Sequence, residues 1–311
     1  MNPVRRRQLG AALVVCAVFH GCAAATTTST SAGTMPGKAT AIAPPAEIPE
    51  IPEMTAAGHE QLGDLHTGQG SFDRAYLEYR EAIRLEPDRD SARYKAARIL
   101  LRQGLIPEAR EEFAAILADD PGNPLALLGM GHAAVLSGDP GAERILRDAL
   151  VGDATLWQAH NLLGLTYSRE GAFDKAIAEF EAALELKPKE GSVANNLGVV
   201  QLRSGDLEGA VASFRLAIAS GSRDPRVSNN LGLALARLGR REEAIEAFRL
   251  NGTTAAAWNN LGFTLLLEGK NEAAIEALQK AVEAEGAYYQ RAHDNLQRAL
   301  GAKSSPARTL H

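Results

Sequence analysis

The feature that most constrains this chain is a sequence pattern that recurs about every 34 residues from residue 56 onward. The fifteenth position of the pattern is glycine in all seven copies, namely Gly70, Gly104, Gly138, Gly171, Gly205, Gly239 and Gly269. Glycine adopts, without a steric cost, the left-handed conformation that closes a helix, so each copy predicts a helix end there. Repeats of this length stack on one another, because one copy alone cannot bury its apolar face.

Small residues set the register of the repeats, which we place at the starts 56, 90, 124, 157, 191, 225 and 255. The eighth position is small in every copy: Gly63, Ala97, Gly131, Gly164, Gly198, Gly232 and Gly262. The twentieth position is alanine in six copies: Ala75, Ala109, Ala176, Ala210, Ala244 and Ala274. A larger side chain would hold two helices apart, so these positions predict a close helix crossing, with the alanines opposite the glycines.

Local signals give each second helix a beginning and an end. Acidic residues follow the turn glycine, where they complement the helix dipole, as at Asp174 and Glu208. Pro121 and Pro188 end two of these helices. The sixth copy is about four residues shorter than the others, so we expect its second helix to lose about one turn.

One copy, residues 157–190, carries the fullest motif: His160, Leu163, Gly164, Tyr167, Gly171, Ala176, Phe180, Ala183 and Pro188. This pattern resembles the tetratricopeptide repeat, with His160 at the usual Trp position and Trp258 restoring the Trp in the last copy. The resemblance implies an all-α, right-handed superhelical solenoid of seven helix-turn-helix repeats within residues 54–300. A last helix over residues 288–300 is predicted to cap its apolar end, and residues 301–311 to form a tail.

The N-terminus has the features of an export signal. Three arginines precede an apolar run over residues 9–19, which is too short to span a bilayer. Gly21 and Cys22 resemble a bacterial lipobox, which implies that residues 1–21 are removed and that Cys22 is lipidated. The alternative is a plain secretory signal. Residues 22–53 are rich in Ala, Thr, Ser and Pro and predict a flexible tether.

Catalysis is not indicated by any motif. The net charge of -5 gives no electrostatic footprint for nucleic acid. His59 and Glu60 begin a zinc-protease motif, but Gly63 stands where its second His is needed, and His59 is expected to pack inside its repeat. The sequence has neither a phosphate-binding loop nor a nucleophile elbow. We therefore expect no catalytic residue, no metal, no cofactor and no small-molecule substrate.

The candidate binding residues lie on the first helix of each repeat, which lines the inner face in the family that the chain resembles. The fifth and sixth positions carry Asn161, Asn195, Asn196, Asn229, Asn230, Asn259 and Asn260. An amide both donates and accepts, so stacked amides can bind the backbone of an extended peptide. This arrangement resembles the asparagine ladder of O-linked N-acetylglucosamine transferases. The alternative is that the amides bond within and between the repeats.

The thirteenth position adds a row of guanidinium groups: Arg102, Arg169, Arg203 and Arg237. If they share the inner face, they favour an acidic peptide or a C-terminal carboxylate. The alternative is that they are solvated partners of the helix ends. An apolar alternative site lies at Phe263, Leu266 and Leu267.

The predicted function is that of a non-catalytic scaffold that binds other proteins or extended peptides. The layout of signal, tether and repeats resembles bacterial lipoproteins, above all the tight-adherence pilus lipoprotein. This implies a lipid-anchored protein of the outer membrane, facing the periplasm, that assembles a pilus or secretion complex from envelope subunits. The alternatives are an adaptor for a periplasmic protease or cell-wall hydrolase, and a soluble periplasmic or secreted protein.

Overall fold

A computed structural model describes residues 54–284 and 289–304, and these residues form fifteen α-helices without a strand. The expectations for the signal, Cys22 and the tether lie outside the described residues. Seven hairpins of two helices follow one another and a single helix closes the series, which confirms the predicted all-α repeat fold. Within the described ranges, no helix is both long and apolar enough to cross a bilayer.

Each hairpin consists of an odd-numbered first helix and an even-numbered second helix. The first helices are α1 (Ala56–Gly68), α3 (Asp90–Gln103), α5 (Pro124–Ser137), α7 (Trp157–Glu170), α9 (Gly191–Ser204), α11 (Pro225–Arg237) and α13 (Thr254–Leu267). The second helices are α2 (Phe72–Leu85), α4 (Ile106–Asp119), α6 (Ala142–Gly152), α8 (Phe173–Leu186), α10 (Leu207–Ala219), α12 (Arg241–Arg249) and α14 (Asn271–Ala284). The closing helix is α15 (Gln290–Ser304).

The turn inside each hairpin is closed by the predicted glycine. All seven fifteenth-position glycines have positive φ, between 70° and 93°. At Gly171, for example, φ is 78°, and the next residue, Ala172, donates its backbone N–H to the carbonyl of Tyr167 at 2.9 Å. The left-handed residue therefore reverses the chain and satisfies a carbonyl at the end of α7.

The eighth-position glycines lie where the two helices of a hairpin cross, but the side chain that faces each of them is not the expected alanine. A Cβ on Gly198 would lie 2.8 Å from the ring of Phe214, and one on Gly164 would lie 2.7 Å from the ring of Phe180. The facing side chain is the twenty-fourth residue of the repeat, one helical turn beyond the twentieth-position alanine, because the ring reaches across the crossing while the short alanine cannot. Those alanines, Ala176, Ala210, Ala244 and Ala274, are fully buried.

Two elements depart from the regular repeat. Helix α12 has 9 residues where α14 has 14, so the sixth hairpin has lost about one turn of its second helix. The closing helix begins at Gln290 and continues to Ser304, so the prediction that the helix ends at residue 300 is wrong. Gly301 weakens a helix without stopping it, and the first proline that follows Gln290 in the sequence is Pro306.

A buried carboxylate joins the first repeat to the second. Glu60 on α1 is 7% exposed. It accepts hydrogen bonds from Arg89 at 2.5 Å and Ser91 at 3.0 Å, and it lies 2.8 Å from Nζ of Lys95. Burial acts to raise the pKa of the Glu60 carboxyl, but the hydrogen bonds from Lys95, Arg89 and Ser91 together outweigh it, so the pKa lies below its ordinary value.

The close crossing gives a first prediction. Gly198→Leu should destabilise the fold by about 1–3 kcal/mol or more, because the new side chain must displace the ring of Phe214. The matched control is Gly68→Leu: Gly68 is also helical, but a Cβ there meets no atom within 4 Å. Urea unfolding followed by circular dichroism measures both variants. Equal stability of the two would contradict a tight crossing at Gly198.

The buried carboxylate gives a second prediction, about pH. A carboxyl whose pKa is lowered by folding stabilises the fold above its unfolded pKa, and this stabilisation is lost as the pH falls through the folded value. Glu60→Gln should therefore lower the free energy of unfolding by about 1–3 kcal/mol at neutral pH. The difference from wild type should shrink as the pH falls below about 4. The exposed Glu185→Gln is the control, and a Glu60→Gln deficit that does not change with pH would refute the ion-pair argument.

Candidate peptide-binding face

A groove of about 500 Å³ lies on the side of the structure formed by first helices alone. Its walls come from α3, α5 and α7, and Ser192 of α9 lies at one end. Residues four apart on a helix share a face, so the fifth, ninth and thirteenth positions of each first helix point the same way. On α5 these positions hold Leu128, His132 and Leu136, all of which line the groove.

The charges of this groove are positive. Arg98 and Arg102 of α3 line it, and no carboxylate does. The Arg98 guanidinium lies 5.7 Å from the ring centroid of Tyr94, and that of Arg102 lies 4.0 Å from the ring centroid of Phe72. Burial and the nearby Arg98 lower the pKa of His132, so this imidazole is neutral at neutral pH. The two arginines therefore supply the charge that a ligand meets.

Of the four thirteenth-position arginines that the sequence offered as binding residues, Arg102 alone lines this groove. The other three donate hydrogen bonds to carbonyls of the preceding repeat. Arg169 binds the carbonyl of Val135 at 2.9 Å, Arg203 that of Ser168 at 3.3 Å, and Arg237 that of Leu202 at 3.2 Å. Each acceptor is the twelfth residue of its repeat, so these arginines tie successive first helices together. Their geometry matches the alternative in which they pair with helix ends.

The asparagine rows are divided between contacts inside the protein and open surface. Asn161 lines the groove, and its side-chain oxygen accepts a hydrogen bond from Asn196 at 3.1 Å. Asn259 is 2% exposed, and its oxygen accepts a hydrogen bond from Asn295 of the closing helix at 2.9 Å. The Asn259 side-chain N–H in turn donates a hydrogen bond to the side-chain oxygen of Asn260 at 3.4 Å. At these two junctions the amides bond to each other.

The middle of the asparagine rows is different. Asn229 is exposed and Asn230 is partly buried. The Asn195 side-chain oxygen is buried, and no described residue donates a hydrogen bond to it. Asn195 and Asn196 line a second pocket of about 440 Å³, beside the segment over residues 220–226. The structure therefore does not bring all seven asparagines into one site.

Two further predicted features have clear positions. His59 and His160 pack inside their hairpins, and each Nδ1 lies 2.7 Å from a glutamate nineteen residues later, Glu78 and Glu179. Leu266 packs against the buried core, whereas Phe263 and Leu267 are 39% and 70% exposed. In the described part of the chain, no three His, Cys, Asp or Glu side chains are placed to hold a metal ion.

Sequence reasoning missed His132 and Asn295. His132 occupies a ninth position, between the fifth and thirteenth positions that were considered, and the face rule for helices would have included it. Asn295 lies 35 residues after Asn260 and precedes Leu296, as an Asn precedes Leu in the repeats. It therefore continues the asparagine row into α15, which packs as the first helix of an incomplete eighth repeat.

These contacts predict that two asparagines of the same row differ in effect. Asn295→Ala should lower the free energy of unfolding by about 1–3 kcal/mol, because it leaves the buried Asn259 oxygen without its donor. Asn230→Ala is the matched control and should change it by less than about 0.5 kcal/mol. Urea unfolding measures both. A larger loss for Asn230→Ala than for Asn295→Ala would contradict this division of the row.

Comparison with known families gives matches along most of the repeat region. Family models described as tetratricopeptide repeat match residues 61–124, 140–191, 161–225, 195–251 and 255–293. Together they cover more than half of the chain. A comparison with curated protein sequences finds no match.

Solved structures share the fold. A thermophilic tetratricopeptide repeat protein from Thermus thermophilus is 24% identical with a TM-score of 0.52, over 58% of this chain and 99% of its own. PilF of Pseudomonas aeruginosa is 17% identical with a TM-score of 0.51, over 68% and 96%. YrrB, described as having an unusual peptide-binding site, is 22% identical with a TM-score of 0.50, over 62% and 98%. At these identities the likeness shows the fold alone.

Proposed function

Since the chain belongs to the tetratricopeptide repeat family and is thereby a protein–protein interaction scaffold, we propose that it assembles a pilus or secretion complex at the periplasmic side of the cell envelope. In this proposal it acts by holding other polypeptides and performs no catalysis. The observation that carries it is the groove on α3, α5 and α7, which combines apolar walls with two guanidinium groups.

The size of the groove supports an extended polypeptide as the ligand. It crosses three successive first helices. Packed helices lie about 8–10 Å apart, so the groove is about 16–20 Å long. An extended chain advances about 3.3 Å per residue, and the groove therefore accommodates about five or six residues. A short segment of a partner fits this length better than a folded domain.

The envelope location in this proposal rests on the N-terminal sequence. The Gly21-Cys22 pair behind an apolar run supports lipidation of Cys22, and the tether over residues 22–53 then holds the repeats away from the membrane surface. One acyl chain gives only weak membrane binding, whereas several chains on one lipoprotein anchor it stably. A scaffold that is fixed at a membrane suits the assembly of a multi-subunit complex.

The proposal predicts that Cys22→Ser releases the protein from the membrane and lowers its recovery with envelope-complex subunits. Cell fractionation and labelling with palmitate measure the first effect, and in-cell cross-linking followed by mass spectrometry measures the second. Cys16→Ser is the matched control, because Cys16 lies inside the apolar run and its loss should leave anchoring intact.

Three outcomes would contradict parts of this proposal. If wild type and Cys22→Ser bind the membrane equally and neither is labelled by palmitate, the lipid anchor is refuted. Recovery of periplasmic proteases or cell-wall hydrolases in place of pilus or secretion subunits would assign the protein to an adaptor role. Recovery of no protein partner from the anchored form would refute the scaffold function in the envelope.

A further inference from the structure

The groove on α3, α5 and α7 has a charge that its surroundings do not share. The whole chain has 38 acidic and 33 basic residues. Two other pockets in the described ranges contain carboxylates beside their basic groups: Glu190 and Asp224 with Arg226 line the one near Asn195, and three glutamates with three basic residues line the one between α12, α13 and α14. The groove contains Arg98 and Arg102 without a carboxylate. Its charge therefore complements an anionic ligand.

The two guanidinium groups are available to a ligand. Across the described residues, neither Arg98 nor Arg102 takes part in a hydrogen bond or an ion pair, whereas Arg169 in the same row as Arg102 binds a backbone carbonyl. The rings of Tyr94 and Phe72 contact Arg98 and Arg102, which restricts their rotamers and leaves their N–H groups free. The two arginines are four residues apart on α3, so their Cβ atoms lie about 5–6 Å from each other. One carboxylate can therefore reach both.

The apolar side of the groove lies on the neighbouring helices. Leu136 of α5 is 49% exposed, and Leu165 of α7, which also lines the groove, is partly buried. Covering an exposed leucine with an apolar group of a ligand removes apolar surface from water, and this favours binding. A large apolar side chain of the ligand is the group that covers these residues. The lining also continues past α7 to Ser192 of α9, so a ligand chain can pass through the groove.

We propose that this groove binds an internal, extended segment of a partner protein in which an acidic side chain lies next to a large apolar one. The carboxylate binds Arg98 and Arg102, and the apolar side chain packs on Leu136 and Leu165. Asn161, at the end of the groove near α9, offers its amide to the peptide backbone. This inference rests on the proposed scaffold function and gives the ligand its chemistry.

The experiment uses the full chain and a library of fluorescein-labelled ten-residue peptides, each made with a blocked C-terminus and again with a free C-terminal carboxylate. The central residue is Leu, Phe, Trp or Ala, and its neighbours are Asp, Asn or Lys. Fluorescence anisotropy should show the tightest binding for Asp beside Leu, Phe or Trp. The double variant Arg98→Gln, Arg102→Gln should weaken this binding about tenfold or more, because it removes the charged hydrogen bonds between the two guanidinium groups and the Asp carboxylate of the peptide. The matched control is Arg241→Gln with Arg249→Gln, two exposed arginines outside the groove, which should leave binding unchanged.

A second variant tests the same groove if the double arginine variant fails to fold. Leu136→Glu changes a half-exposed residue, so the melting temperature should hold while binding of the acidic peptides is lost. The inference is overturned if Asn peptides bind as well as Asp peptides, if no peptide binds below about 1 mM, or if only peptides with a free C-terminal carboxylate bind. Each of these results concerns the groove, whereas failure of the envelope proposal appears in fractionation and cross-linking.

Discussion

The packing of one large side chain against one glycine is the interaction on which the rest of this structure depends. In the fifth hairpin the ring of Phe214 lies over Gly198, so close that even a Cβ on the glycine would overlap it. This contact sets the distance between the two helices of the hairpin. With that distance fixed, the left-handed Gly205 turns the chain at the right point, and the next hairpin can stack on the last. The same contact recurs in six hairpins, through Tyr79, Leu146, Phe180, Phe214, Phe248 and Leu278.

Close crossings also decide where the binding surface lies. Because the second helices supply the large side chains that fill these crossings, the first helices keep one face free of this contact. The fifth, ninth and thirteenth positions of α3, α5 and α7 occupy that face, and the groove is the space between them. The residues at these positions can therefore differ from one repeat to the next without changing the distance between the helices of a hairpin. The array can therefore hold its shape while the groove carries Tyr94 and Arg98 on one helix and Leu128 and His132 on the next.

The sequence predicted the fold well because its signals are local. The glycine at position fifteen of each repeat predicts a residue in the left-handed conformation, and all seven of these glycines have positive φ in the structure. The prediction that Ala210 faces Gly198 was wrong, because the facing residue is Phe214. Sequence spacing alone does not show how far a side chain reaches. The candidate site was harder to predict for the same reason. Asn161 and Asn259 share one repeat position, yet one lines an open groove and the other is covered by α15, and that cover depends on the end of the array.

The arginine row shows why binding and structural roles could not be separated by pattern. Arg102 and Arg169 occupy the same repeat position. The partner of Arg169 is a backbone carbonyl, that of Val135, and a carbonyl is present at every residue, so no sequence pattern signals this bond. Arg102 contacts the ring of Phe72, and among the described residues no group accepts a hydrogen bond from it. A residue type at a repeat position therefore defines what a side chain can bind. The preceding repeat decides whether that capacity is used inside the array or is left for a ligand.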